Sequence, residues 1–188
     1  MLGDFDDTSK LKEEKQPLTF KKVLREWVLP YGAEILAVVL FVKFVAFFTF
    51  VPTGSMETTI PEKSCVISTR LYNASENVKR GDIIVFESDE LGITLVKRCI
   101  GLPGDRVEVL RGGSVYINGE LFPEPYALDY DGYSGEFVVP EGNYLFFGDN
   151  RPGSIDARYW DDPYIPEEKL VGKAVFLLWP FDSFGKIN

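Results

Sequence analysis

One long apolar stretch near the N-terminus constrains this 188-residue chain more than any other feature. The stretch runs from Trp27 to Val51 and is interrupted by Pro30, Glu34 and Lys43. A helix of about 20 residues crosses the roughly 30 Å hydrocarbon core of a bilayer. The sequence therefore predicts a membrane anchor followed by one domain of roughly 130 residues. We divide the chain into an N-terminal segment (1–26), an anchor with a membrane-interface segment (27–50) and a folded domain (51–188).

Two positions of the anchor are compatible with the sequence. In the first, which we favour, the helix covers about Trp27–Val42 and the Lys43 ammonium reaches the far interface. Phe44–Val51 is then an extended apolar segment at the interface, because Phe and Val favour strands. In the second, the helix covers about Glu34–Val51 and buries Lys43. A cleaved signal peptide and a buried helix of a soluble protein are the alternatives. Against cleavage, no small-x-small site precedes Ser55; only Thr53-Gly54-Ser55 comes close, and Pro52 precedes it.

The charges beside the stretch predict its orientation. Five basic residues closely precede the stretch: Lys12, Lys15, Lys21, Lys22 and Arg25. Only two basic residues, Lys63 and Arg70, lie in the segment that follows it. Cytoplasmic flanks of membrane helices are enriched in Lys and Arg. We therefore expect a cytoplasmic N-terminus and an extracytoplasmic domain.

Charge and cysteine content exclude some classes of partner. Residues 52–188 carry thirteen basic and twenty-two acidic side chains. Because binding to phosphates needs a basic face, we expect no nucleic-acid partner. Cys65 and Cys99 lack the spacing of a metal site or a disulfide framework, and the sequence leaves open whether they pair. We expect no metal and no cofactor.

The domain has the pattern of an all-β protein, with short apolar runs mostly bounded by Gly, Pro, Asn or Asp. We predict strands at Cys65–Thr69, Asp82–Phe86, Ile93–Ile100, Arg106–Leu110, Val115–Ile117, Phe137–Val139, Tyr144–Phe147 and Val171–Trp179. Asn118-Gly119 supplies the two positive-φ residues of a type I′ hairpin turn. Residues 123–136 are expected to form a loop or an inserted ribbon. The predicted fold class is mostly β, a coiled antiparallel sheet or barrel behind a single N-terminal transmembrane helix.

The absence of histidine limits the chemistry of the chain. Histidine is the usual base for a nucleophilic serine and the commonest zinc ligand. Ser55 follows the apolar stretch by a few residues, so we expect it at the membrane surface. If Ser55 is a nucleophile, its base must be a carboxylate or a lysine.

Four segments carry the chemical signal: Ser55–Ile60, Arg80–Phe86, Lys97–Asp105 and Gly148–Arg158. Their order and spacing resemble the bacterial type I signal peptidases, and the resemblance covers the anchor and nearly all of residues 51–179. Two positions depart from the family pattern, since Thr58 stands where proline is common and Ala157 where serine is common. Neither departure removes a catalytic group.

The resemblance implies a serine endopeptidase with a Ser/Lys dyad, in which Ser55 is the nucleophile and Lys97 the general base. A lysine with an ordinary pKa of about 10.4 is neutral for only about one part in a thousand near pH 7.5. A working base has a pKa of about 7–8, and burial lowers the pKa of a lysine. Lys97 lies in a predicted apolar strand, where alternation puts Leu95 and Cys99 on its own face.

Supporting roles follow from the same resemblance. The Thr53 hydroxyl and the Ser55 backbone N–H would form the oxyanion hole, and Ser154 would orient the lysine amine. Structural ion pairs are expected to brace the site, with Arg98 paired to Asp156. The residues expected in these pairs are Arg98, Asp149, Arg151, Asp156 and Arg158.

The implied substrate is a secretory preprotein whose signal peptide has small residues at the first and third positions before the cleaved bond. Shallow apolar pockets would select these residues sterically. The candidate linings are Val51, Pro52, Met56, Ile60, Val85, Leu95 and Val96, with Val85 in the deeper pocket. We expect the extended substrate to pair with free strand edges near Asp82–Phe86 and Thr53. The implied location is the bacterial cell membrane, with lipid as a second partner.

Two other functions remain open. A Ser/Lys peptidase with a dedicated partner, such as a pilin, would carry the same dyad. A non-catalytic membrane assembly factor would be expected to have lost Ser55 or Lys97, and both are present.

Overall fold

A computed structural model describes residues 20–129 and 132–187. The chain divides into two compact units, Met1–Phe41 and Val42–Asn188. Residues 1–19, which make up most of the segment predicted to be cytoplasmic, lie outside the described residues.

The N-terminal part of the described chain is helical. Helix α1 (Phe20–Val23), a π-helical segment (Leu24–Val28) and helix α2 (Leu29–Phe44) follow one another without a break. Lys21–Phe44 is 24 residues long and is apolar enough to cross a membrane. No residue of α2 is buried. The helix ends at Phe44 and a strand follows, as in the first of the two anchor positions.

Twelve strands follow α2 in the described residues, and one short α-helix, α3 (Ala74–Asn77), lies among them. The strands are β1 (Ala46–Val51), β2 (Ser64–Arg70), β3 (Ile83–Ser88), β4 (Ile93–Gly101), β5 (Arg106–Val109), β6 (Val115–Ile117), β7 (Glu120–Phe122), β8 (Gly135–Val138), β9 (Asn143–Phe147), β10 (Tyr164–Pro166), β11 (Leu170–Trp179) and β12 (Gly185–Lys186). All eight predicted strands are present, with ends shifted by at most two residues.

The strands form two antiparallel sheets. The larger has the order β1-β2-β11-β3-β4-β9-β10, with β12 paired to β11, and the smaller has the order β7-β6-β5-β8. Shifts of register in β11 and β4 bend the larger sheet. The predicted fold class is confirmed, since the domain is mostly β and its sheets are antiparallel.

The turn between β6 and β7 also agrees with its prediction. Asn118 and Gly119 have φ values of 53° and 85°, and β6 pairs with β7 immediately on either side of them. Two successive positive φ values are the signature of a type I′ hairpin.

Strand β1 was predicted only as an extended segment at the membrane interface. It pairs with β2 along its whole length, from Ala46 opposite Thr69 to Val51 opposite Ser64. The predicted boundary between residues 50 and 51 therefore falls inside a strand. Alternate residues of β1 face the domain, which is why the segment is part of the sheet.

Strand β3 lies in the middle of the larger sheet. Ile83 and Val85 belong to one core cluster, whereas Ile84 and Phe86 belong to the other. Its backbone pairs with β11 on one side and with β4 on the other. The prediction of a free edge at residues 82–86 was therefore wrong. The unbroken apolar run of this strand is typical of a strand that is buried on both faces.

Candidate active site

Ser55 lies in a short 3₁₀ turn, Gly54–Met56, immediately after β1. Only 8% of its surface is exposed. Asn150, from the loop after β9, holds this turn at two points. Its backbone N–H donates to the Ser55 carbonyl oxygen (3.1 Å), and its Nδ2 donates to the Gly54 carbonyl oxygen (2.9 Å). The loop after β9 thus fixes the backbone that carries the serine.

Lys97 lies on β4 and is 3% exposed. Its Nζ makes a hydrogen bond with Ser55 Oγ. Burial lowers the pKa of Lys97 from its ordinary 10.5 to about 8, even though the nearby carboxylates of Asp156 and Asp149 act in the opposite direction. The structure therefore brings together a hydroxyl and an amine that is partly neutral near neutral pH.

The hydroxyl predicted for the oxyanion hole lies beside this pair. Thr53 Oγ1 is 3.4 Å from Ser55 Oγ, and Thr53 has an extended backbone just before the 3₁₀ turn. A hydroxyl here can donate to an oxygen that is bonded to the carbon under attack by Ser55.

Ser154 lies close to the backbone of Ser55 but makes no hydrogen bond with the lysine amine. It is 3% exposed, and its Oγ has no hydrogen-bond partner within the described residues. A Cβ at Gly148 would lie 2.5 Å from the Ser55 carbonyl oxygen and closer still to Ser154 Oγ. Glycine at position 148 therefore allows Ser154 and the backbone of Ser55 to approach each other. The orienting role of Ser154 stays a prediction.

One buried ion pair differs from its prediction. Arg98 pairs with Asp149 through two hydrogen bonds, Nε to Oδ1 (2.9 Å) and Nη2 to Oδ2 (2.7 Å). Asp156, the predicted partner, pairs with Arg158 instead (2.8 Å). The reason lies in the sheet register, because Arg98 is paired with Phe147, two residues before Asp149.

The other ion pairs hold the loop after β9. Asp156 accepts a hydrogen bond from the Gly148 N–H (2.8 Å) and pairs with Arg158. Arg151 donates to the Gly148 carbonyl oxygen (3.0 Å) and pairs with Glu124 (2.6 Å). Each of these carboxylates has an arginine partner, and their role in bracing the site stays a prediction.

Two residues of this network were missed by the sequence analysis. Glu124 is the partner of Arg151, and the Tyr126 ring centroid lies 3.8 Å from the Arg98 guanidinium carbon. Both belong to the segment predicted as a loop or ribbon. Its acidic and aromatic content was the only available signal, because the contacts are distant in sequence.

The departure at Thr58 has a structural explanation. Its φ is +87°, whereas a proline ring fixes φ near −65°. Proline, which is common at this position in the family that the sequence resembles, is incompatible with this backbone. The Thr58 hydroxyl donates to the Tyr126 carbonyl oxygen, and so ties the serine loop to the segment after β7. Ala157, the other departure, is buried in the core.

A groove of about 440 Å³ runs from Ser55 and Lys97 along the larger sheet. Five of the predicted pocket residues line it: Val51, Pro52, Val85, Leu95 and Val96. The other two do not. Met56 and Ile60 are fully buried in the core with Val66. The turn after Ser55 folds them inward, as the hydrogen bond from the Ile60 N–H to the Met56 carbonyl oxygen (2.7 Å) shows.

Two strand edges along this groove are free within the described residues. β1 is the terminal strand of the larger sheet. β4 pairs with β9 only from Arg98 to Gly101, so residues 93–97 lack a neighbour on that side. These edges replace the edge wrongly predicted on β3.

The described residues, 20–129 and 132–187, contain no group of three or more Cys, Asp or Glu side chains that could hold a metal ion. Cys65 and Cys99 are both free thiols, and Cys99 is buried.

Comparison with known proteins identifies one family. The family described as signal peptidase, peptidase S26, matches residues 24–179. The probable signal peptidase I-2 of Synechocystis sp. is 36% identical, over 97% of this chain and 84% of that protein. The signal peptidase I of Bacillus licheniformis is 33% identical, over 93% and 99% respectively. A crystal structure of a signal peptidase I from Enterococcus faecalis is 32% identical and covers 51% of this chain and 95% of that one, with a TM-score of 0.42.

Proposed function

The chain belongs to the signal peptidase family, peptidase S26, and on that premise we propose how its residues cleave a signal peptide. The family makes it a serine endopeptidase that removes signal peptides. We infer that Ser55 Oγ is the nucleophile and Lys97 Nζ the general base. The observation that carries this proposal is the hydrogen bond between the two atoms inside a buried site.

The first half of the reaction acylates the serine. Neutral Lys97 accepts the hydroxyl proton as Ser55 Oγ attacks the carbonyl carbon of the scissile bond. The negative charge that forms on the carbonyl oxygen is stabilised by the Thr53 hydroxyl and the Ser55 N–H. Removing one such donor typically raises the barrier by about 2.7–4 kcal/mol. The C–N bond then breaks as the Lys97 ammonium protonates the leaving amine.

The second half releases the signal peptide. Neutral Lys97 takes a proton from a water molecule, whose oxygen attacks the ester carbon. The second tetrahedral intermediate uses the same two donors, and its collapse returns the proton from Lys97 to Ser55 Oγ. The lysine therefore cycles between amine and ammonium without a histidine.

Ser154 is suited to position the lysine amine between these steps. Its buried hydroxyl has no partner within the described residues, and a change of the serine rotamer about the Cα–Cβ bond moves Oγ to a new position. A rotated hydroxyl that accepts from Lys97 Nζ would align the amine with Ser55 Oγ. An unsatisfied buried hydroxyl is otherwise unfavourable, which supports this role.

The groove supports an extended substrate with small side chains before the bond. We infer that the peptide lies between the free edges of β1 and residues 93–97 of β4, and hydrogen-bonds to both. Val51, Val85 and Val96 then form the floor beneath the first and third residues before the bond. All three are at least nine-tenths buried, so large side chains would collide with packed core. This favours sites of the Ala-x-Ala type.

We propose that the apolar helix anchors the chain in the bacterial cell membrane. Residues 1–26 would then be cytoplasmic, residues 27–50 would hold the span and the interface segment, and residues 51–188 would be extracytoplasmic. The basic N-terminal flank supports this orientation. Secretory preproteins and membrane lipid are the proposed partners; nucleic acid and metal are not.

The test compares the wild type with Ser55→Ala and Lys97→Ala on a model preprotein in liposomes. We expect cleavage at a small-x-small site and its loss in both variants. Lys79→Ala is the matched control, because Lys79 is an exposed lysine away from the groove. Cleavage that persists in folded Lys97→Ala would place the base elsewhere. A folded wild type that cleaves no preprotein would favour a dedicated substrate.

A further inference from the structure

The groove extends well beyond the pockets assigned to the first and third residues before the bond. At its far end it is lined by Phe47, Val171 and Arg70. Arg70 is paired with Gly172, Gly172 with Val85, and Val85 with Val96. Arg70 is thus in one row across the sheet with the pocket residues Val85 and Val96. Its strand, β2, is separated from β3, which carries Val85, by β11. The missing side chain at position 172 makes room for the Phe47 ring between them.

Phe47 holds the Arg70 side chain in a defined place. The guanidinium carbon lies 4.3 Å from the Phe47 ring centroid, a favourable cation–π distance. The ring in turn lies against the sheet at Gly172, where a Cβ would come within 2.6 Å of it. Glycine at this position therefore allows Phe47 to lie flat and to carry the guanidinium at the end of the groove.

Arg70 is half-buried and lacks the carboxylate partners that the buried arginines of the domain have. Its Nε is buried without a hydrogen-bond partner, and it forms no ion pair within the described residues. Arg98, Arg151 and Arg158 each pair with a carboxylate. Because no carboxylate within the described residues balances this guanidinium, a ligand that supplies one would gain a charge-assisted hydrogen bond.

A second charged residue, Glu87, lines the same groove from β3. It is exposed and makes no ion pair with Arg70 within the described residues. Water screens an exposed charge more than a half-buried one. Arg70 is therefore the stronger determinant of the charge that this end of the groove accepts.

The strand spacing shows which part of a substrate reaches Arg70. Phe47 precedes Val51 by four residues in β1, a distance of roughly 13 Å along a strand. If the third residue before the bond lies over Val51 and Val85, the seventh lies beside Phe47. We propose that Arg70 determines specificity for the fifth to seventh residues before the cleaved bond, by donating hydrogen bonds to a carboxylate there. This inference rests on the proposed function.

The test uses preproteins that differ at one position, with Asp or Lys at the fifth, sixth or seventh residue before the bond. The measured quantity is the ratio of kcat/KM for the Asp and Lys substrates, which cancels any general loss of activity. We expect the wild type to prefer Asp by roughly tenfold at one of these positions, the size of one charge-assisted hydrogen bond. The preference should appear mainly in KM, because the contact is not to the reacting atoms.

Three variants complete the test. Arg70→Gln should abolish the preference and Arg70→Glu should reverse it. Arg111→Glu makes the same charge change at an exposed position in the β5–β6 turn and should keep the wild-type ratio. An equal ratio in the wild type, Arg70→Gln and Arg70→Glu at all three positions would overturn the inference. Arg70→Gln keeps most of the side chain, so it decides the question if Arg70→Glu does not fold.

Binding separates this inference from the proposed function. The same substrates are titrated onto Ser55→Ala and onto Ser55→Ala/Arg70→Glu, neither of which needs to cleave. A tighter complex with the Asp substrate that reverses with the charge of residue 70 supports the inference whatever the base is. Cleavage by the wild type with equal binding of the Asp and Lys substrates would overturn it and leave the proposed function intact.

Discussion

Lys97 sets the pH at which the proposed dyad works. Burial lowers its pKa to about 8, so the neutral amine is the major form above that pH. About a quarter of the molecules carry it at pH 7.5 and about one in a hundred at pH 6. We expect kcat/KM for a preprotein to fall about tenfold per pH unit below about 8. A profile that is flat from pH 9 to pH 5 would contradict lysine as the base.

Gly148 is the residue whose replacement should disturb the site without removing a catalytic group. A methyl group there would collide with Ser154 and with the Ser55 carbonyl oxygen. We expect Gly148→Ala to lower kcat at least tenfold, because a small displacement of the nucleophile is costly, and to destabilise the fold by about 1–3 kcal/mol. Gly185→Ala is the control, since a Cβ at that position meets no atom within 4 Å. Equal activity of the two variants would show that the close packing at Gly148 is dispensable.

For the strands, the sequence predicted the positions of the elements and of local turns, but it did not predict which residues are neighbours across the sheet. The β6–β7 hairpin followed from Asn118-Gly119, because its turn chemistry is local. The predicted partner of Arg98 was wrong, because the true partner depends on the register between β4 and β9. The position of Arg70 in the groove was missed for the same reason, since it requires the pairing of β2 with β11. Alternation and turns identify strands, whereas neighbours across a sheet are set by the whole fold.

The outer face of β1 provides a prediction for an element. Phe48 and Phe50 point away from the core and are 64% and 63% exposed. Trp179 of β11 is paired with Cys65 of β2, and its exposed side chain extends this apolar face. We expect such a surface to enter the membrane interface, because burying a Phe side chain contributes about 1.5–3 kcal/mol.

The corresponding variant is Phe48→Ser/Phe50→Ser. Its rate on a liposome-embedded preprotein, divided by its rate on a soluble peptide, should fall several-fold below the wild-type ratio. Leu121→Ser removes an exposed apolar side chain from the smaller sheet and serves as the control. If the double variant keeps the wild-type ratio, the outer face of β1 does not contribute to membrane contact.

For the whole molecule, the anchor converts an encounter in solution into one on a surface. Enzyme and preprotein held in the same bilayer meet at a higher effective concentration, a gain of about 10²–10⁴ in linked systems. The proposed catalytic groups all lie in the unit Val42–Asn188, so the anchor adds no group to the proposed dyad. Its contribution should therefore depend on where the substrate is.

Removing residues 1–41 tests whether the anchor increases the rate only when the substrate is embedded in a membrane. We expect the remaining unit to cleave a soluble signal-peptide analogue at close to the full-length rate, because the dyad, the groove and the supporting ion pairs are retained. On a preprotein embedded in liposomes its rate should fall at least a hundredfold, since the substrate no longer shares a surface with an anchored enzyme. Adding a detergent that dissolves the liposomes should narrow the difference between the two proteins. Equal rates on the embedded preprotein would mean that the β domain alone supplies the membrane contact. The anchor would then retain the enzyme in the membrane without increasing the rate of cleavage.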